Sequence, residues 1–144
     1  MDRGLAVVLT AIVGGILALQ APINAGLGRA TGSLAAALVS FTIGTLALVV
    51  VVAVSGASGL GSTFDVRWYY LLGGLLGAVY VTMALITVRS IGAGGVAAAT
   101  ITGQLAVSVL IDRLGVLGLE QTPLSFSRVA GVVLLMAGTY LVVR

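Results

Sequence analysis

The chain of 144 residues is 60% hydrophobic and 8% charged, with a mean hydropathy of +1.25, so a soluble domain of this size could not bury its apolar side chains. Its basic residues are all arginines at the ends of apolar segments, and the net charge of +3 therefore does not indicate a nucleic-acid-binding patch. Cysteine and histidine are absent, which excludes thiol chemistry, disulfides, histidine metal sites and histidine base catalysis. We expect neither an enzyme nor a bound metal or cofactor.

Five hydrophobic runs follow one another along the chain, and each is long enough to cross a hydrocarbon core of about 30 Å as a helix. They cover approximately residues 4–27, 34–54, 67–88, 94–111 and 129–143. The first run is longer than the apolar part of a signal peptide, so we interpret it as a retained helix. The sequence predicts an all-α integral membrane protein, a single five-helix transmembrane domain over residues 1–144 with short loops.

The first predicted helix carries two amides on one face. Gln20 and Asn24 are four residues apart, so they lie one above the other. Pro22 stands between them and cannot donate to the Ala18 carbonyl, which predicts a kink and a free backbone acceptor beside the two amides. The second predicted helix contributes only Thr42 and Thr45, whose hydroxyls can bond a carbonyl of their own helix.

The third and fourth predicted helices carry polar residues at mid-depth. Tyr80 lies near the middle of the third, which begins with aromatic residues suited to the headgroup level. In the fourth, Thr100, Gln104 and Ser108 step by four along one face toward Asp112. Gln104 is the strongest candidate for substrate binding, because a glutamine side chain at mid-span cannot satisfy its donors and acceptor within its own helix. It could instead bridge two helices by hydrogen bonds. Acidic residues are absent from the middle of the predicted spans, which argues against a buried carboxylate that binds a cation or a proton. We interpret Asp112, at a helix end, as a paired residue at the membrane surface.

The fifth predicted helix offers a surface for helix association. Gly131 and Gly138 are seven residues apart, and the run between them carries no polar side chain on the glycine face. Small residues at such spacing allow close approach of helix backbones in membranes. We expect this face to be the better candidate for a dimer contact.

An odd number of spans places the two ends of the chain on opposite sides of the membrane. The arginines barely select an orientation, with four on one predicted face (Arg3, Arg67, Arg113, Arg128) and three on the other (Arg29, Arg89, Arg144). A difference of one arginine is worth about 1 kcal/mol, so insertion in both orientations is expected, with a fixed N-terminus-inside topology as the alternative. In an antiparallel dimer, only residues near mid-span, such as Gln104 and Tyr80, meet their own copies at the two-fold axis.

The sequence resembles the YdcZ-type family of the drug/metabolite transporter superfamily. The resemblance rests on five stretches: residues 20–29 (QAPINAGLGR), 40–45 (SFTIGT), 68–77, 103–112 (GQLAVSVLID) and 128–138. It implies a five-helix half transporter, similar to one half of ten-helix members whose halves are inverted repeats. Small multidrug resistance proteins of the same superfamily carry a membrane glutamate in the first helix, whereas this chain has Gln20 and Asn24 there, so proton-coupled cation antiport is not implied.

Together these features predict a multi-pass protein of the bacterial inner membrane that moves a small solute by alternating access. It would act as an antiparallel homodimer or with a homologous inverted half. The predicted substrate-binding residues are Gln20, Asn24, Tyr80, Gln104 and Ser108. Amides and a tyrosine in an uncharged cavity suit a neutral, zwitterionic or weakly charged metabolite, or an organic cation stacked on the tyrosine. Two other classes stay open: a membrane subunit that scaffolds a partner protein without transport, and a small-ion channel of dual topology.

Overall fold

The computed structural model describes residues 2–57, 59–116 and 119–144, and all regular structure within these ranges is helical. Two short 3₁₀ helices, Gly59–Asp65 and Trp68–Leu71, precede the third of the long helices. The long helices are α1 (Arg3–Thr31), α2 (Ser33–Ser55), α3 (Leu72–Leu114) and α4 (Phe126–Val143). Each of these four helices is long and apolar enough to cross a membrane, as an all-α membrane protein requires. For α3, the candidate span also includes the short helix Trp68–Leu71 before it.

Helix α3 covers both the third and the fourth predicted spans. Its helical geometry is interrupted at Gly92, where φ is 69° and ψ is 172°. This backbone conformation is essentially restricted to glycine, because a Cβ would clash there. Gly92 therefore lies between the two predicted spans and is the one point within α3 where the helix is broken.

The chain divides into two compact units, residues 1–89 and residues 90–144. Unit 1 contains α1, α2 and the first part of α3, and unit 2 contains the remainder of α3 and all of α4. The loop predicted before the fifth span begins at residues 117 and 118, which lie outside the described ranges.

In unit 1, Gly32 alone separates α1 from α2. Its φ of 83° and ψ of 155° end the first helix, and its N–H donates to the Gly28 carbonyl at 3.0 Å. Gly32 also begins α2, because its carbonyl accepts the first bond of that helix from Ala36 at 3.0 Å. Helix α1 continues on both sides of Pro22, so the proline does not divide it.

The core of unit 1 lies at one end of its helices, near Gly32. It consists of Ala25 on α1, Ala36 and Ala37 on α2, and Val81 and Leu85 on α3. These residues are small wherever α1 meets α2, which allows the two backbones to approach closely. Toward the other end of α1, residues 7–19 are all exposed, so this length of helix is free for lipid or for another protein surface.

Unit 2 is a pair of antiparallel helices. Thr139 of α4 donates to the Ala98 carbonyl of α3 at 3.0 Å, whereas Arg128, near the beginning of α4, reaches Asp112 near the end of α3. Residue numbers therefore rise along α3 as they fall along α4. Close packing is possible because a Cβ on Gly95 would lie only 3.4 Å from a methyl carbon of Val143.

Candidate functional site

Among the residues of unit 1 that the structure describes, Asn24 is the buried polar one. It is 6% exposed, next to Ala25 of the core cluster, and its Nδ2 atom has no hydrogen-bond partner within the described residues. A buried amide donor without an acceptor costs about 1–3 kcal/mol, so such groups are uncommon unless a ligand or water supplies the acceptor. Gln20 lies one turn earlier on α1 and is half-buried.

One turn after Asn24, the surface of α1 is flat because residue 28 is a glycine. A Cβ built on Gly28 would lie 3.3 Å from Cδ2 of Leu85, 3.3 Å from Nη2 of Arg89 and 3.7 Å from Cβ of Ala36. The guanidinium of Arg89 thus lies against α1 at Gly28, one helical turn after the buried amide of Asn24. Sequence reasoning used Arg89 only to count charges and missed this placement, because Gly28 and Arg89 are distant in the sequence and meet only in the folded chain.

Tyr80 belongs to the same end of unit 1. Its half-buried ring packs against the core cluster of Ala25, Ala36, Ala37, Val81 and Leu85. Of the predicted site residues in this unit, Tyr80 thus packs against the core cluster, buried Asn24 directly precedes the cluster residue Ala25 on α1, and Gln20 lies one turn before Asn24.

The other two predicted site residues belong to unit 2 and lie away from its helix pairing. Gln104 and Ser108 are exposed on α3, and Thr100 on the same face is half-buried. The hydrogen bonds found between α3 and α4 involve Thr102, Thr139 and the Asp112–Arg128 pair instead. Gln104 therefore does not serve as a bridge between these two helices.

Two threonines that sequence reasoning passed over hold unit 2 together. The hydroxyl oxygens of Thr102 and Thr139 lie 2.6 Å apart, and Thr102 also lies 3.3 Å from the Leu135 carbonyl. The available signal was the series of small residues Gly95, Ala98 and Thr102, whose spacing of three and four marks a face for close packing.

An open groove of about 650 Å³ runs along the α3–α4 pair. Most of its lining is apolar, and the two threonine hydroxyls in it are already bonded to each other. The lining residues are Ile91, Ala99, Thr102, Gly103, Met136, Thr139, Tyr140, Val143 and Arg144.

Two charged residues of unit 2, Asp112 and Arg128, form an ion pair at one end of the two helices. Nη1 of Arg128 donates to Oδ2 of Asp112 at 3.0 Å, with both side chains more than one third exposed. Asp112 is thus paired with an arginine of α4 and not with its neighbour Arg113, whose carbonyl accepts a bond from Gln121. Within the described ranges, the acidic side chains do not form a group that could hold a metal ion.

Comparison with known proteins establishes the family. Residues 5–141 match the family model described as "Putative inner membrane exporter, YdcZ". The chain belongs to the YdcZ family. Among curated proteins, it is similar to the inner membrane protein YdcZ of Escherichia coli (strain K12), at 31% identity over 90 residues. That match covers 62% of this chain and 60% of the relative, and no solved structure matches the chain.

Membership of the YdcZ family confirms the resemblance that the sequence indicated. The family description and the long apolar helices identify a multi-pass inner-membrane protein of a transporter family, as predicted. The family therefore points toward transport and away from an enzyme.

Proposed function

We propose that this chain is a five-helix half of a small-solute exporter that works by alternating access as an antiparallel dimer. The solute path would be lined by Gln20, Asn24, Tyr80, Gln104 and Ser108. The observation that carries the proposal is the exposure of Gln104 and Ser108 in the apolar part of α3. A polar side chain at membrane depth faces protein or a water-filled path, because lipid offers it no hydrogen bond.

The five-span count rests on the length of α3 and on Gly92. A continuous helix of 43 residues would be about 65 Å long, more than twice the thickness of the hydrocarbon core. Gly92 divides α3 into segments 72–91 and 93–114, and each of them would be about 30–33 Å long, which fits one crossing. Together with α1, α2 and α4, these two segments make five spans.

A comparable backbone at Gly32 supports this interpretation. Gly32 has φ 83° and ψ 155°, similar to the φ of 69° and ψ of 172° at Gly92, and it connects α1 and α2 through a single residue. Each glycine follows an arginine by three positions, Arg29 and Arg89, which suits an end of a span at the membrane surface. We take Gly92 to be the same kind of one-residue connection between spans.

The antiparallel dimer accounts for surfaces that each unit leaves open. The α1 residues 7–19 are exposed, and a Cβ on Gly131 or Gly138 of α4 would meet nothing within 4 Å. A partner helix can therefore approach the glycine face of α4 without a clash. With five spans, an identical chain inserted the other way supplies the inverted half that a transport path through the membrane requires.

Transport and the role of Gln104 can be tested together in vesicles. Vesicles that contain the purified protein are loaded with a defined mixture of amino acids, sugar phosphates and carboxylates, and released solutes are identified by mass spectrometry. We expect at least one solute to leave faster than from protein-free vesicles, and Gln104→Ala to slow that release about tenfold or more while insertion and dimer formation persist.

Thr42→Ala is the matched control for this experiment. Thr42 is exposed on α2, and its hydroxyl bonds only the Leu38 carbonyl of its own helix at 2.9 Å, so release should be unchanged. Unchanged release in Gln104→Ala would remove Gln104 from the path. Release no faster than from protein-free vesicles, for every solute in the mixture, would contradict the transport proposal itself.

A further inference from the structure

Among the described residues, the end of unit 1 near Gly32 holds one buried hydrogen-bond donor without an acceptor and the exposed arginine Arg89. Asn24 is 6% exposed, and its Nδ2 has no partner within the described residues. Arg89 presents its guanidinium against α1 at Gly28, four residues further on, which corresponds to about 6 Å along the helix axis. An amide that lacks an acceptor and a guanidinium therefore lie one helical turn apart on the same side of α1.

Acidic side chains of unit 1 lie far from this end. Asp2 caps the opposite end of α1, and 26 residues separate it from Gly28, or about 39 Å of helix. Asp65 follows the distal end of α2. The ion pair found among the described residues joins Asp112 to Arg128 in unit 2 and does not involve Arg89. A positive charge and a free donor thus remain without a counter-charge from unit 1.

The absence of a side chain on Gly28 is what admits the guanidinium. A Cβ there would come within 3.3 Å of both Nη2 of Arg89 and Cδ2 of Leu85, so a larger residue would require both side chains to shift. Arg29, the neighbouring arginine on α1, is placed differently. Its Nη2 lies 3.6 Å from the position of a Cβ on Gly26, which is on the opposite face of the helix from Gly28.

We propose that Asn24 and Arg89 form a binding site for an anionic oxygen group, a carboxylate or a phosphate. The group would belong either to the transported solute or to a lipid headgroup. Arginine binds both groups through its planar fork of N–H donors, and Nδ2 of Asn24 supplies a further donor to the same group or to an adjacent oxygen. As a statement about the solute, this rests on the proposed transport function. It narrows the expected substrate, a neutral, zwitterionic or weakly charged metabolite or an organic cation, to an organic anion.

The site can be tested by ligand-dependent thermal stability of the full-length protein in a phosphate-free sugar detergent. Inorganic phosphate and succinate are the probes, with chloride and the neutral succinamide as references at equal ionic strength. A ligand that binds the folded state raises the midpoint of thermal unfolding. We expect phosphate or succinate to raise it in the unmodified protein, and the two reference solutes to leave it unchanged.

Variants then assign the effect to the two residues. Arg89→Gln and Asn24→Asp should each weaken anion binding about tenfold or more, because one removes the positive charge and the other places a negative charge at the site. Arg29→Gln removes an arginine from the other face of α1, and this variant should still be stabilised by the anion as much as the unmodified protein. If Arg89→Gln does not fold, Arg89→Lys replaces it as the test. Lysine retains the positive charge but lacks the planar N–H donors of the guanidinium, so this variant should bind the anion with reduced affinity.

A second series separates the two sources of the anionic group. Short-chain phosphatidylglycerol added in place of the soluble anions should stabilise the protein through Arg89 if the site belongs to a headgroup. Stabilisation by phosphate or succinate alone assigns the site to a soluble anion. No stabilisation by any of the three, or equal loss in Arg29→Gln and Arg89→Gln, would overturn the proposal. The thermal assay measures binding independently of transport. If the protein binds the anion but transports no solute, the anion site is supported and only the proposed transport function is contradicted.

Discussion

The hydroxyl oxygens of Thr102 and Thr139 lie 2.6 Å apart and join α3 to α4. Each hydroxyl has a single proton to donate. Thr139 uses its proton for the Ala98 carbonyl at 3.0 Å, so Thr102 donates either to Thr139 or to the Leu135 carbonyl at 3.3 Å. Both donors are therefore satisfied between helices, in a region where neither water nor lipid would replace them.

Removal of this hydroxyl pair should loosen unit 2. We expect Thr102→Val to lower the free energy of unfolding by about 1 kcal/mol, since interhelical hydrogen bonds in membranes are typically worth about that much. Denaturation by sodium dodecyl sulfate in mixed micelles would measure the change. Thr42→Val is the control and should cost little, because Thr42 bonds only a carbonyl of its own helix. Equal losses in the two variants would show that the Thr102 hydroxyl does not join the helices.

Gly28 should tolerate a side chain poorly. A Cβ there meets Leu85 and Arg89 at 3.3 Å, so Gly28→Val should lower the free energy of unfolding by about 1–3 kcal/mol through overpacking. Gly15→Val is the matched control, because a Cβ at Gly15 meets nothing within 4 Å in this chain. The same denaturation assay compares the two, and a Gly28→Val variant as stable as Gly15→Val would contradict the packing of α1 against α3.

Gly92 should be sensitive to substitution for a conformational reason. At φ 69° and ψ 172°, any residue with a Cβ is strained, so Gly92→Ala should destabilise the protein by about 1–3 kcal/mol. Gly94→Ala, two residues later, places its Cβ at an ordinary 3.8 Å from Val142 and should be neutral or slightly stabilising in a helix. A Gly92→Ala variant as stable as Gly94→Ala would mean that the helix can continue through this residue.

The ion pair of unit 2 should contribute little to stability. Asp112 and Arg128 are 36% and 38% exposed, so the loss of the pair in Arg128→Gln should cost less than about 1 kcal/mol. The reversed pair, Asp112→Arg with Arg128→Asp, should recover the difference if the contact is electrostatic. A loss of several kcal/mol in Arg128→Gln would indicate a more deeply buried pair than the structure shows.

Hydropathy and length were sufficient to predict an all-α membrane protein, because a bilayer fixes how long and how apolar a spanning segment must be. The third and fourth predicted spans fall in the single helix α3 and the short helix before it, so the described residues form four candidate membrane helices where five spans were predicted. The predicted first and second spans lie within α1 and α2, and the last lies within α4. Helix ends extend further than predicted, to Thr31 in α1, since residues near the membrane surface keep helical geometry without being apolar.

The candidate site was only partly accessible to sequence reasoning. Polar residues inside spans are few, so Asn24 and Tyr80 could be selected by type and depth. In the structure Asn24 is buried and Tyr80 packs against the core cluster. Which face of a helix packs inside the chain is a tertiary property. Sequence reasoning selected the series Thr100, Gln104 and Ser108 and did not consider Thr102, yet Thr102 is the residue that meets α4. Arg89 was missed since its importance depends on Gly28, which is distant in sequence.

The central claim, an antiparallel dimer of identical five-span chains, is tested most directly by the orientation of the C-terminus. Two reporters, one active only in the cytoplasm and one only outside it, are fused in turn after Arg144, and Arg3→Gln and Arg29→Gln are compared with the unmodified chain. These arginines lie on opposite predicted faces of the membrane.

The account predicts that both reporters are active in the unmodified chain. Arg3→Gln should favour the orientation with the C-terminus in the cytoplasm, and Arg29→Gln should favour the opposite one, because arginine-rich ends stay inside. Activity of only one reporter, unchanged by either substitution, would contradict dual insertion and with it the identical inverted partner on which the two-fold placement of Gln104 and Tyr80 depends.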